Sequence, residues 1–175
     1  MRWFWIDRFT EFESGRRATA VKNVSLAEDH LHEHFPAAPF MPNSLIIEGL
    51  AQTAGLLVAQ HSDFLERVVL AKLSKVKFHA HAIPGDTLTY RVELQDISKQ
   101  GAAATGTSHI GDRLQAEVEL FFAHLADDHA KADQLFDPAT FLVWLNSVGI
   151  FRVGRQADGS RIQPPEYLRK AVGLA

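Results

Sequence analysis

The sequence predicts an α+β fold: an antiparallel sheet wrapped around one central buried helix, with a helical extension at the C-terminal end. Three observations carry that expectation. Between residues 43 and 61, Leu45, Ile46, Ile47, Leu50, Ala51, Ala54, Leu57 and Val58 place apolar side chains nearly all round a helix, as in a helix enclosed by a core. From residue 68 to 123, four strand-like runs follow one another across Pro84-Gly85-Asp86, Lys99-Gln100-Gly101 and Gly111-Asp112 turns. One early helix followed by a run of strands is the pattern of an α+β domain rather than of alternating βα units.

Taken in order, residues 3–13 alternate apolar and polar and end at the turn signal Ser14-Gly15. Residues 16–24 resume in an extended style, so the two form a hairpin. Residues 25–34 are polar and irregular and carry His30, His32 and His34. Pro36, Pro39 and Pro42 keep the chain out of helix until about residue 43. Asn43 or Ser44 is the expected N-cap, and the helix runs to about His61, with Glu48 and Gln52 on one face. The strands are 68–78, 86–97, 102–110 and 113–123, read as a meander. After Ala126 comes a charged stretch, 127–133, and then Asp137-Pro138 opens a helix with Phe141, Leu142, Leu145 and Val148 on one face. Residues 155–165 read as loop and 166–172 as a last short helix. The chain divides into a unit at 1–126 and a C-terminal extension at 127–175.

Composition excludes several function classes. Hydrophobic residues make up 46% and charged residues 22%, which fits a folded domain and not a disordered chain. A formal charge of −3 argues against a general nucleic-acid binder. The absence of cysteine removes disulfides, thiolate metal sites and cysteine nucleophiles together. No apolar run reaches the ~18 residues of a membrane span, and the opening Met-Arg-Trp-Phe-Trp-Ile-Asp-Arg has charges where a signal peptide needs an apolar core. A soluble, cytoplasmic protein is the expectation.

The chemistry concentrates in residues 34–52. His34 sits in a proline-punctuated loop, and fourteen residues on, Glu48 lies inside the apolar helix. A lone carboxylate in an apolar setting is costly, so it is paired, protonated or employed. His34 and Glu48 therefore read as an acid–base couple, or else as a loop histidine and a salt-bridged glutamate. Gln52, on the same helix face, reads as the cap of a buried polar patch. Alternating histidines at 30, 32 and 34 and at 79 and 81 raise a metal site, but none has a carboxylate or cysteine at defined spacing. No metal and no cofactor are expected.

His34-Phe-Pro-Ala-Ala-Pro-Phe-Met-Pro-Asn43, followed by Glu48-Gly-Leu-Ala-Gln52, resembles the hot-dog-fold 3-hydroxyacyl-(acyl carrier protein) dehydratases of fatty acid synthesis. That family's pattern is approximately His-Phe-Pro-Gly-x-Pro-x-Met-Pro-Gly, then a helix carrying Glu or Asp and Ala-x-Ala-Gln. Val76-Lys-Phe-His-Ala-His-Ala-Ile-Pro-Gly-Asp-Thr-Leu resembles its second signature, and Phe12-Glu-Ser-Gly-Arg-Arg-Ala and Lys22-Asn-Val-Ser also resemble it. The resemblance spans roughly residues 1–125. It implies His34 as base, Glu48 as acid, and the Asn43 N–H as donor to the thioester carbonyl, with Gln52 orienting Glu48 or its water. Phe35 and Phe40 would line an acyl tunnel, although core packing explains them equally well. The family's glycines are replaced by Ala37 and Asn43, which bears on pocket shape and substrate.

The resemblance further implies an acyl carrier protein partner and a homodimer at minimum, with His from one subunit meeting the carboxylate of the other. Lys72, Lys75 and Lys77, or Arg16 and Arg17, would meet the acidic carrier, unless they are ordinary solvated surface. The product of 3-hydroxyacyl dehydration would be an enoyl thioester. A hot-dog thioesterase and a non-catalytic acyl-binding or scaffold protein are the alternatives. The C-terminal extension docks on its own sheet, covers the tunnel mouth or binds a partner.

Overall fold

A computed structural model describes residues 4–33, 37–125 and 137–173. The hairpin forms from β1 (Arg8–Glu13) and β2 (Arg17–Asn23) around Gly15, whose φ of 68° lies in the left-handed region. Strand β1 starts later than the alternation suggests, because residues 4–7 run irregularly. A short helix, α1 (Asp29–Glu33), occupies part of the segment expected to be irregular. It follows a polar anchor: Lys22 is buried on β2, and its ammonium meets the Glu28 carboxylate and, at 2.7 Å, the Asn23 carbonyl.

The central helix α2 spans Asn43–Gln60. Its N-cap is Pro42 and no side chain caps it, so the expected Asn43 or Ser44 cap is not formed. The proline sits at φ −54° and ψ 134°, an extended geometry that delivers the chain into the first turn with Asn43 already helical. Ile46, Leu50, Ala54 and Leu57 are buried beneath it. Gly49 is required by close approach: a Cβ there would lie 2.4 Å from the Tyr90 ring and 2.8 Å from the Trp5 carbonyl oxygen.

Four long strands follow: β3 (Arg67–Phe78), β4 (Thr87–Ile97), β5 (Gly101–Ile110) and β6 (Arg113–Leu125). The C-terminal segment adds α3 (Pro138–Ser147), α4 (Ile150–Val153), β7 (Gly154–Arg155) and α5 (Glu166–Ala171). Asp137 caps α3 by accepting from the Thr140 N–H at 2.8 Å.

The seven-stranded sheet runs β3-β6-β5-β4-β2-β1-β7, antiparallel except for the β1–β7 pair. Only β4, β5 and β6 form a meander. Strand β3 pairs with β6 instead of β4, because β4 is already bonded on both sides, by β2 and β5. Alternate residues Leu88, Tyr90 and Val92 on β4 face the helix, and on β5 the small Ala102 and Ala104 let it approach. Strand β7, two residues long, falls where loop is expected to begin. It gives Ser14 N–H an acceptor in the Arg155 carbonyl at 2.8 Å, while Phe9 N–H donates to Val148 O at 2.8 Å. Leu142, Leu145, Val148, Ile150, Ile162 and Leu168 join the same apolar cluster as α2 and the sheet. No helix among the described residues is long and apolar enough to cross a membrane. The charged stretch 127–133 lies outside the described residues.

Candidate active site

Glu48 stands in the second turn of α2. The expectation of a carboxylate buried by apolar neighbours is not met in the single chain: Glu48 is exposed. The neighbouring Ile46, Gly49 and Leu50 turn inward, and Glu48 looks out along the opposite stripe. Gln52, one turn later, donates from Nε2 to Glu48 Oε1 at 3.0 Å, and its Oε1 accepts the Trp5 backbone N–H at 2.9 Å. This second bond decides the first. An N–H needs the amide's oxygen, so the NH₂ group is turned toward Glu48. Gln52 is thereby tied to both Glu48 and the Trp5 backbone.

Asn43 begins the same helix five residues before Glu48, about 7.5 Å along the axis. N–H groups of the first turn have no acceptor within an α-helix, and the positive end of the dipole lies there. The Asn43 side chain takes no part: its Oδ1 is buried without a hydrogen-bond partner. Neither Asn43 nor Ala37 has a positive φ, since among the described non-glycine residues only Asp63 and Phe64 do. The missing glycines therefore leave no backbone strain behind. Ala37 is exposed in a turn.

The two sequence signatures meet in space. Met41 N–H donates to the Ala82 carbonyl at 2.8 Å, and the rings of Phe40 and His81 lie 4.4 Å apart. Phe40 thus packs on the second signature and does not line the groove that contains Glu48. His34 and Phe35 lie outside the described residues. Two other histidines have local partners: His79 Nε2 lies 3.2 Å from Glu117 Oε1, and His32 Nε2 lies 2.6 Å from the Leu26 carbonyl. No group of three His, Asp or Glu side chains converges among the described residues. Arg16 and Arg17 pair with Glu13 and Glu11 at 2.8 Å, Lys75 lies 3.9 Å from Glu117, and Lys72 stands over the Phe121 ring.

Glu48 and Gln52 open into a groove of about 620 Å³ between α2, the start of β3 and the C-terminal helices. Its aromatic lining, which includes Trp144 and Tyr167, was not anticipated from the sequence. The usable signal was the run Ala51, Gly55, Ala59 at four-residue spacing beside Glu48, a stripe of small residues on a helix otherwise rich in Leu and Ile.

A fold of this kind, with two motif loops joined at the start of its central helix, defines the hot-dog class. The FabA-like domain model matches residues 3–116, and the chain belongs to that family. Among similar relatives, a 3-hydroxyacyl-(acyl-carrier-protein) dehydratase FabZ of Pelotomaculum thermopropionicum is 38% identical over 119 residues, 67% of this chain and 85% of the relative. The dehydratase of the same name from Clostridioides difficile is 38% identical over 119 residues, covering 67% of this chain and 84% of its own length. A Streptococcus mutans UA159 protein solved with acetyl CoA bound superposes with a TM-score of 0.58 at 16% identity, over 72% of this chain and 94% of that one. At that identity the likeness is one of fold.

Proposed function

We propose that this chain is a 3-hydroxyacyl-(acyl carrier protein) dehydratase, converting a 3-hydroxyacyl thioester to the trans-2-enoyl thioester in fatty acid or related acyl-chain biosynthesis. The observation that carries the reading is the Trp5–Gln52–Glu48 relay, which fixes a carboxylate at the mouth of a groove inside the family-matched segment. The relatives bearing the dehydratase name do not favour the thioesterase or the non-catalytic alternative.

In this reading His34 is the base that takes the proton next to the thioester carbonyl. The electron pair moves onto the carbonyl oxygen, where the Asn43 N–H and the helix dipole offset the developing charge. Expulsion of the 3-hydroxyl then re-forms the carbonyl and makes the carbon–carbon double bond. Glu48 supplies the proton that lets the hydroxyl leave as water. Proton transfers alone balance the reaction, so it needs no redox cofactor. The carrier protein would meet whichever of Lys72, Lys75 and Lys77 project past the face that a partner subunit covers.

The exposure of Glu48 supports a homodimer as the working unit. Strand β3 is a twelve-residue sheet edge, with Val69, Leu70 and Val76 each more than a third exposed. A long apolar edge of that kind is ordinarily covered. A partner face over it would give Glu48 the dry setting in which a carboxylic acid works as a proton donor, and would bring the partner's His34 to it. The proposed location is the cytoplasm.

The test is hydration and dehydration of a short 3-hydroxyacyl or enoyl thioester, followed by ultraviolet absorbance. Wild type is expected to turn over, and His34→Ala and Glu48→Ala each to lose at least about a hundredfold, the scale of general acid–base groups. A folded, dimeric wild type that is inert on the carrier-bound substrate would sink the reading.

A further inference from the structure

The groove that opens at Glu48 continues along α2. Glu48, Ala51, Gln52, Gly55, Leu56 and Ala59 line it, spaced three and one residues apart so that all share one face. The first and last are eleven residues apart, about 16 Å of helix. On the helix side its polar groups are Glu48 and Gln52, while Glu66 and Arg67 line it from the start of β3. Beyond Gln52 the stripe is apolar, and Ala and Gly leave room above it.

The facing wall comes from the C-terminal segment: Phe141, Trp144, Tyr167 and Leu168 all line the groove. None of them lies in the FabA-matched residues 3–116. This wall is fixed in place. Tyr167 Oη donates to the Phe64 carbonyl at 2.7 Å, and Trp144 stacks on Phe4 with ring centroids 5.2 Å apart. The buried Phe64 packs edge-on against Phe141, holding together the loop that closes the far end of the helix. A volume of about 620 Å³ falls in the range of sites that enclose a small molecule.

We infer that the C-terminal segment builds the acyl-tail pocket of this enzyme, with the reacting end of the substrate at Glu48 and an apolar tail running along the α2 stripe toward Ala59. The substrate class is then a medium- to long-chain 3-hydroxyacyl group in preference to a short one. This assignment rests on the dehydratase reading of Glu48, because it takes that residue as the reacting end. Continuity of one groove from Glu48 to the aromatic wall is what identifies the occupant.

The experiment compares kcat/KM of the full-length protein on 3-hydroxybutyryl and 3-hydroxydodecanoyl pantetheine thioesters. Two variants approach the pocket from opposite walls. Gly55→Leu adds bulk at mid-groove, where a Cβ alone would already lie 3.5 Å from the Phe122 ring. Trp144→Ala removes part of the facing wall without adding anything. Wild type is expected to favour the dodecanoyl substrate. Each variant is expected to lower the dodecanoyl-to-butyryl ratio at least about tenfold, a discrimination apolar pockets reach from a few methylene contacts. A ratio unmoved in both, with melting curves showing folded protein, overturns the pocket and leaves the dehydratase reading standing. If wild type turns over neither substrate, that reading falls, and titration calorimetry with dodecanoyl and butyryl pantetheine decides the pocket. Tighter dodecanoyl binding that Gly55→Leu abolishes upholds it, and equal binding of the two overturns it.

Discussion

The two ends of α2 are finished in opposite ways. At the N-terminal end no side chain caps the helix, Leu45 and Ile46 N–H both fall back on the Pro42 carbonyl, the two donors before them have no acceptor within the helix, and Glu48 and Gln52 face outward. At the C-terminal end the chain turns back tightly. Phe64 N–H donates to Ala59 O at 2.8 Å and His61 N–H to Val58 O at 3.1 Å, so the last carbonyls are occupied. Asp63 and Phe64 reach this arrangement with φ of 52° and 62°, a region that costs a non-glycine residue about 1–2 kcal/mol. The strain is offset because Phe64 is buried and its carbonyl is held by Tyr167. One end leaves backbone donors and a carboxylate facing outward, and the other spends conformational energy to fix a wall. The contrast is between a helix end built for chemistry and one built for shape.

The largest expected effect breaks the shape end. Phe64→Ala removes a buried ring that touches Phe141 and Phe151 while keeping the strained backbone. The expected cost is about 3 kcal/mol, a fall in Tm of roughly 6–12 °C for a chain of this size. Calorimetry would check it. A loss below about 1 kcal/mol would mean that the ring supports nothing and that the closing loop is held by its hydrogen bonds alone.

The next effect belongs to the chemistry end. Gln52→Leu deletes the donor to Glu48 and the acceptor for Trp5 N–H together. We expect kcat to fall about tenfold, near 1.4 kcal/mol of lost transition-state stabilisation, with KM for the thioester little changed. A rise in KM at constant kcat would instead place Gln52 in ground-state substrate binding.

These two sites also mark what could be read in the sequence. The central helix and the long strands were legible because each carries its own signal, an all-round apolar run or alternation bounded by turn residues. Glu48 and Gln52 were legible through the motif and the four-residue spacing. The exposure of Glu48 was not, because apolar neighbours in sequence are distributed over all sides of a helix, and burial is decided by face. Helix α1 has five residues, two of them histidine, too short for any periodicity to show. Strand β3 leaves meander order because pairing is settled by which edges are already filled, a non-local matter. Strand β7 has two residues and exists only through its pairing with β1. The aromatic wall needed the third dimension for the same reason: Phe64 and Tyr167 lie 103 positions apart.

The smallest expected effect tests whether the chemistry end depends on its side chains at all. Asn43→Gly restores the residue common in the family. Since Asn43 has no positive φ, glycine relieves no strain there. Glycine adds backbone freedom to the unfolded chain, costing up to ~1 kcal/mol in a helix interior and less in a first turn. Against this, the substitution removes a buried Oδ1 that has no hydrogen-bond partner, and an orphaned acceptor is itself destabilising by about 1–3 kcal/mol. The two contributions oppose each other, and with the relief at the lower end of that range, as befits a half-buried residue, Tm should rise by no more than about 2–4 °C. The N–H proposed to serve the thioester oxygen survives the change, and kcat/KM should stay within about threefold, some 0.6 kcal/mol. A large gain in activity would show that the Asn43 side chain blocks the approach of substrate to the helix end. The backbone donors would then be necessary at this end of α2 but not sufficient, and the contrast between the two ends would extend to what each admits.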